Sequence, residues 1–258
     1  MELRVVQIKV QEVDMGEQNR SLLRGIEILK TFKPGIDLLG NGEIAERTQL
    51  SKATVSRLTQ TLVSAGMLEH DTQHRAYRLA APVLSLAFAM KTSSPVLSTA
   101  APKMRLCAEK HKVNIGLAVA DGDEMVYLES IRYNHKAAFR NVVTGLRVPM
   151  ELTSLGHAWL SLLNEHQRKA LFIAFKKRRP NDWDKVKRDI EASLEDVHQL
   201  GFCHACWQPG VLALSTPVQH TEHSTSILNI SVANYDNKEE QILKLSNVLL
   251  QLKSDLWR

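Results

Sequence analysis

Leu50-Ser51-Lys52-Ala53-Thr54-Val55-Ser56-Arg57-Leu58-Thr59-Gln60-Thr61-Leu62 reads as a helix with one side for packing and the other for a DNA groove. The short side chain of Ser51 can accept from backbone N–H groups that the first turn leaves unpaired, which makes it the N-cap. Val55, Leu58 and Leu62 recur at i, i+3 and i+7, so at about 100° per residue they line one apolar stripe. Ala53, Ser56, Arg57 and Gln60 then face the other way. No Asp or Glu occurs from Ser51 to Gly66, as suits a surface that must approach phosphates. Glu43-Ile44-Ala45-Glu46-Arg47 forms a shorter helix one tight connection earlier, and the two make a helix-turn-helix. Taken alone, the longer helix also fits an ordinary amphipathic surface helix.

The residues after this helix narrow the reading. Gly66 ends it, since a residue without Cβ enters the left-handed conformation at little cost. Met67-Leu68-Glu69-His70, the polar turn Asp71-Thr72-Gln73-His74, and Arg75-Ala76-Tyr77-Arg78-Leu79 then read as two short strands around a turn, a β-wing. The compound pattern, a winged helix-turn-helix, is far more specific than any one helix. Upstream, a first helix runs from Leu22 to Phe32, and Leu22, Ile26, Leu29 and Phe32 share the face expected to close the core before Pro34-Gly35 stops it. Gly40-Asn41-Gly42-Glu43-Ile44-Ala45 matches the G-x-G-x-x-A dinucleotide pattern. That motif needs a preceding strand and a βαβ frame to aim a helix N-terminus at a pyrophosphate, and here a helix is expected before it. Nucleotide binding is therefore set aside.

With 258 residues, 44% hydrophobic and 24% charged, the chain is long enough for two globular domains with separate cores. The net charge of +5 is compatible with a nucleic-acid partner without establishing one. It divides as +2 over residues 21–80, +4 over 81–258 and −1 over 1–20, so pattern and not charge carries the DNA reading. The longest apolar stretch, near Val83 to Met90, is too short to span a bilayer, and no apolar leader is apparent. No membrane partner is expected, and a cytoplasmic location is the default. Three cysteines, an odd number, argue against a disulfide framework and fit a reducing compartment.

Further along, Pro82 suits a first helical turn, and Val83, Leu84, Leu86 and Ala87 carry a linker helix to about Lys91. Thr92-Ser93-Ser94-Pro95 breaks it, and a helix is expected to resume near Pro102 and run to about Lys112. Asn114 to Ala120 and Met125 to Ile131 are two strands joined by the turn Asp121-Gly122-Asp123-Glu124. Helical patterns follow at about 155–163, 165–175 and 182–200, the last with Val186, Ile190, Leu194 and Val197 on one stripe. Strands from Val211 to Val218 and from Ser226 to Val232, joined by a polar loop, precede a closing helix from about Glu239 to Leu256. Strands with helices to one side, bounding a pocket, make an α+β ligand-sensing domain. The expected divisions are a tail at 1–20, the winged domain at 21–80, the linker helix at 81–95 and the sensing domain at 96–258.

In this order the parts resemble the isocitrate-lyase-regulator (IclR) family of bacterial transcription factors. The resemblance rests on Ser21 to Leu29, Glu43-Ile44-Ala45, Ser51 to Leu58 and the wing end Tyr77-Arg78-Leu79. In the second domain it rests on Gly145 to Pro149 leading into Thr153-Ser154-Leu155-Gly156-His157-Ala158, on Gly201-Phe202 and Gly210-Val211, and on Ala213 to Val218 with Ile230-Ser231-Val232. It spans nearly all of residues 21–250. The resemblance implies a winged DNA-binding domain, a linker helix and a GAF-like α/β effector-binding domain, acting as a homodimer or homotetramer. It also implies a small organic effector, often a carboxylate, between the sheet and the loop at 153–156. By position, Ser154, Leu155, Cys203, Val211, Ala213 and Ser231 are implied pocket residues, and Trp207 offers an apolar or stacking wall. The chain departs from the family at Ala205, near which acid-binding members can carry Asp, and at Asn229, near a family Ser.

Cys203-His204-Ala205-Cys206 is the sharpest enzymatic signal, because C-x-x-C can be a redox pair or half a zinc site, with His220 and His223 as further ligands. A redox pair needs its first thiol at a helix N-terminus, however, and this one lies between Gly201 and Pro209 in a strand or loop. Buried or pocket-lining thiols are the simpler reading. His157 on an apolar helix reads as a packed histidine, and Lys176-Lys177-Arg178-Arg179 as a solvated helix end where the dipole favours cations. The leading expectation is a non-enzymatic DNA-binding transcriptional regulator with no catalytic residue, metal or cofactor. Ser51, Lys52, Ala53, Thr54, Ser56, Arg57 and Gln60 would enter a major groove, with His74 and Arg75 of the wing at the backbone or minor groove. Two such units would require a pseudo-palindromic operator in double-stranded DNA. The alternative is a thiol or zinc enzyme whose winged domain docks partners.

Overall fold

The computed structural model describes residues 19–133, 143–221, 224–233 and 235–256. Residues 1–18 of the expected tail and His223 lie outside the described residues. The chain forms two units that meet in sequence at Ser94 and Pro95.

In the first unit, helix α1 (Arg20–Lys30) is capped by Asn19, whose side chain accepts from the Leu22 N–H at 3.1 Å. Strand β1 (Leu39–Gly40) leads directly into helix α2 (Asn41–Thr48), and Gln49, at φ 58, turns the chain toward helix α3 (Lys52–Ser64). The wing is strands β2 (Leu68–Asp71) and β3 (Ala76–Leu79), and β1 pairs antiparallel with the far edge of β3, giving the order β1-β3-β2. The glycine motif at Gly40 thus follows a strand, where a helix was expected. That strand is two residues long and antiparallel, so no βαβ frame surrounds the motif. Ile28, Leu39, Ile44, Val55, Leu68 and Tyr77 form the core, each burial of such a side chain contributing about 1.5–3 kcal/mol.

The apolar face of α1 is not the one expected. Gly25 and Ile28 are buried and Leu29 and Phe32 half-buried, whereas Leu22 and Ile26 are exposed. The inward stripe runs through 25, 28 and 29 and on to 32 just past the helix, so the face is centred on the side of the small Gly25 and leaves 22 and 26 outside. Helix α4 (Pro82–Ser93) closes the unit, and none of its residues is buried.

The second unit opens with helix α5 (Pro95–His111), which begins seven residues earlier than expected and runs through Pro102. The missing N–H of Pro102 does not stop it, because Leu97, Ala100, Met104 and Ala108 are buried along one face on both sides of the proline. A six-stranded antiparallel sheet has the order β6-β5-β4-β9-β8-β7. Its strands are β4 (Asn114–Asp121), β5 (Glu124–Ile131), β6 (Arg147–Pro149), β7 (Cys203–Ala205), β8 (Val211–Thr221) and β9 (Ser224–Ala233). Between β6 and β7 lie helices α6 (Ser154–Leu160), α7 (Glu165–Arg178) and α8 (Trp183–Leu200), and α9 (Lys238–Leu256) ends the unit.

Helices cover both faces of this sheet, not one. On one face Leu97, Met104 and Ala108 of α5 and Leu245, Leu249 and Leu252 of α9 pack on Ile115, Leu117, Leu228 and Ile230. On the other, Leu155 and Ala158 of α6, Phe175 of α7 and Val186 and Ile190 of α8 pack on Ala118, Met125 and Ile227. Consecutive β9 residues Ile227 and Leu228 enter opposite cores, as the two-residue period of a strand requires.

Candidate functional site

Helix α3 is set by its cap and its stripe. The Ser51 Oγ accepts from the Thr54 N–H at 3.2 Å and lies 2.9 Å from the Thr54 Oγ1. Val55 is fully buried while Leu58 and Leu62 are half-buried, so the opposite side is left outward: Ser51, Lys52, Ala53, Arg57 and Gln60 are exposed, and Thr54 and Ser56 half-buried. Thr59, which the sequence did not single out, is fully buried. Its hydroxyl bonds the Val55 carbonyl at 2.9 Å and approaches the Asn41 Oδ1 at 3.4 Å, joining α3 to the start of α2.

The wing turn is organised by Asp71. Its carboxylate accepts from the His74 N–H at 2.9 Å, lies 3.0 Å from the His74 Nδ1, and pairs with Arg78 at 2.5 Å. The backbone hydrogen bond from His74, ahead of the contacts with the His74 ring and the Arg78 guanidinium, holds this carboxyl below the usual aspartate range. His74 is therefore oriented by the turn, and Arg75, exposed at φ 51, stands at its tip.

A second site opens on the α6 face of the sheet, where a cleft with a cavity of about 60 Å³ has room for several waters. Of the residues implied for a pocket, Ser154, Leu155, Trp207, Val211, Ala213 and Ser231 line it. Cys203 does not: it is fully buried behind the wall, with its thiol donating to the Ser154 carbonyl at 3.4 Å. The cleft also takes in Ala205 and Asn229, the two positions of departure, together with Tyr127 and Arg132, which sequence reasoning missed. The Asn229 amide is fixed by its Nδ2, which donates to the Leu214 carbonyl at 3.3 Å, and Ser154 and Ser215 share a hydroxyl hydrogen bond of 2.8 Å. Gly116 was a readable signal for Tyr127, because a glycine inside a strand pattern marks a close approach. A Cβ at Gly116 would lie 2.4 Å from the Tyr127 ring.

The loop under the cleft is held from below. A Cβ on Gly156 would fall 1.9 Å from the Met150 carbonyl oxygen, so only glycine fits where α6 crosses that loop. His157 is buried, with Nε2 3.0 Å from the Glu151 carbonyl and Nδ1 2.9 Å from the Ser193 hydroxyl. Burial pushes its pKa down, which keeps the ring neutral, and the contacts are those of a packed histidine. The buried Glu151 carboxylate receives a fork from Arg178, at 3.0 and 2.9 Å, and the same guanidinium reaches Asp123 at 2.6 Å. Arg179 pairs with Asp182. Two of the four cations in Lys176-Lys177-Arg178-Arg179 are thus committed within the protein, which weakens that run as a nucleic-acid patch.

The two thiols of the C-x-x-C are free and lie in unlike surroundings. Burial pushes the Cys203 thiol well above the ordinary cysteine range, and Cys206 is exposed with its sulfur 3.5 Å from the Tyr235 hydroxyl. Among the described residues no group of three or more His, Cys, Asp and Glu is placed to hold a metal ion.

Comparison with known proteins agrees with this architecture. Residues 21–72 match the IclR helix-turn-helix domain, and residues 88–256 match the family described as "Bacterial transcriptional regulator IclR C-terminal". The chain belongs to the IclR family. As an IclR-family member it is a DNA-binding transcriptional regulator with a C-terminal effector domain, and the thiol- or zinc-enzyme alternative falls away. It is 31% identical over 183 residues to the HTH-type transcriptional regulator TsaQ1/TsaQ2 of Comamonas testosteroni, which is 70% of this chain and 66% of that relative. A solved IclR family transcriptional regulator from Brucella abortus is 28% identical with a TM-score of 0.85, over 99% of this chain and 97% of that one. An IclR homolog from Microbacterium hydrocarbonoxydans, solved in complex with 4-hydroxybenzoate, shares the fold at 20% identity and a TM-score of 0.65, over 92% and 98% of the two chains. Among the described residues no helix is long and apolar enough to cross a membrane.

Proposed function

We propose that the chain binds a pseudo-palindromic operator as a homodimer or homotetramer and changes its affinity for that DNA when a small organic effector, a carboxylate, occupies the cleft at Ser154, Leu155, Trp207, Val211, Ala213 and Ser231. The observation that carries the DNA half of the reading is the outward face of α3, where Lys52, Arg57 and Gln60 stand exposed on a capped helix without an acidic residue. Arg57 suits the O6 and N7 edge of guanine and Gln60 the N6 and N7 edge of adenine, while Ser51, Lys52, Ala53, Thr54 and Ser56 would meet phosphates or base edges beside them. Arg75 at the wing tip meets the flanking backbone or minor groove, with His74 beside it. Symmetric pairing is supported by α4, whose Leu84, Leu86 and Phe88 are 73%, 61% and 67% exposed, a surface suited to a second copy of the same helix. The effector half rests on the cleft's mix of apolar walls and convergent polar groups. An effector that favours one of two dimer arrangements would shift operator affinity by linkage.

The experiment is binding of the full chain to DNA flanking its own gene, at two salt concentrations and with excess non-specific competitor. Saturable binding that survives competitor and weakens steeply with salt is the expected result. Binding removed equally by any DNA would overturn the reading of α3 as a sequence reader.

A further inference from the structure

Tyr127 lines the effector cleft from β5, and its ring occupies the space that Gly116 leaves open. The side chain is more than nine-tenths buried, yet among the described residues its hydroxyl has no hydrogen-bond partner. That hydroxyl is not among the polar atoms sealed from solvent without a partner, so it opens into the cleft, where a ligand atom can meet it. Arg132, just past the end of β5, lines the same cleft and, among the described residues that line it, is the one with a permanent charge. Among the described residues no Asp or Glu lines that space, and a guanidinium presents its N–H donors as a planar fork that matches a carboxylate. Burial acts on both groups. It raises the Tyr127 pKa to about 12, so the phenol keeps its proton and can donate, and it lowers that of Arg132, whose charge is poorly solvated. The Asn229 Nδ2 donates to the Leu214 carbonyl and lies 3.5 Å from the Ser215 hydroxyl, so that amide offers the cleft its oxygen, an acceptor and not a donor. The donor hydroxyl and the cation come from Tyr127 and Arg132.

We propose that Tyr127 and Arg132 form the anion-binding end of the effector cleft, taking the ligand's carboxylate through the phenol hydroxyl and the guanidinium fork. This rests on the effector reading above. Ala205, Val211 and Ala213 bring no charge to the cleft, so Arg132 sets the polarity of the ligand that fits. The two residues determine specificity and take no part in any reaction.

The test is calorimetric titration of the full-length protein with three acids, benzoate, 4-hydroxybenzoate and phenylacetate, and with the three matching neutral amides. At least one acid is expected to bind at least tenfold more tightly than its amide. Arg132→Gln is expected to weaken that acid by tenfold or more and to abolish the preference, Arg132→Lys to recover part of it, and Tyr127→Phe to weaken the acid several-fold while sparing the amide. Operator binding by each variant without ligand serves as the folding control. Acid preference that survives Arg132→Gln overturns the proposal, as does amide binding equal to acid binding in the unaltered protein, or no acid bound at 10 mM, roughly the weak limit for a specific small-molecule site. Val211→Trp, which fills the cleft, separates the two readings: if it abolishes acid binding while Arg132→Gln does not, the cleft stands and its anion end falls. If acid binds regardless of Val211→Trp, the cleft is not the effector site.

Discussion

Arg57 and Gly156 show two ways in which one residue can be indispensable. Arg57 is exposed on α3 and contributes nothing to the core, so Arg57→Ala is expected to weaken operator binding by about 1–3 kcal/mol with unfolding unchanged, measured by DNA titration beside urea denaturation. Gly156→Ala is the reverse case. Its Cβ meets backbone 1.9 Å away, which no rotamer can relieve, so a loss above about 2 kcal/mol is expected in the same denaturation experiment. His157 adds a pH dependence. Burial holds its folded pKa below the ordinary histidine value of about 6.5, so below that pH the unfolded chain binds more protons and stability falls; above it the contribution is full. His111, His204 and His220 are shifted the same way, so the test is a difference: His157→Gln should lose less stability than the unaltered protein between pH 7.5 and 5.5. An identical pH slope in the two proteins would remove His157 from the account.

Elements with a period and a cap were legible before any coordinates. Ser51, the Val55-Leu58-Leu62 stripe and the turn at Asp71 placed α3 and the wing within a residue or two, because each is a local decision of the backbone. What was hidden depended on neighbours distant in sequence. Strands β1 and β7 are two and three residues long and exist only because β3 and β8 offer an edge. Helix α5 crosses Pro102 because the sheet pays for the missing hydrogen bond with burial on both sides of it. The cleft was half legible: Val211, Ala213 and Ser231, named by resemblance, line it, whereas Cys203 is buried in the core and Tyr127 on β5 and Arg132 just past its end carry no motif. At this scale α4 carries its own test. Leu84 and Phe88 are one turn apart on an exposed face, so Leu84→Glu with Phe88→Glu should lower the sedimenting mass toward that of one chain. An unchanged mass would assign assembly to another surface.

For the whole molecule, the two units divide the labour in a way that variants can separate. Arg57→Ala should weaken operator binding and keep its ligand, and Val211→Trp should keep the operator and lose its response to ligand. If either substitution removed both activities, the division would be wrong. One feature of the first unit bears on how DNA is sampled. The peptide of Gly40 belongs at once to β1, paired with Ala76 beside the wing turn, and to the cap of α2, where its N–H donates to the Glu43 carboxylate at 2.9 Å. Wing and helix-turn-helix are thus riveted together, and the separation between their two points of contact behaves as a fixed gauge. A duplex whose groove geometry does not match that gauge must deform to be bound. Base steps that bend or narrow readily would then be selected at positions no side chain touches, and an operator would be recognised partly by its stiffness.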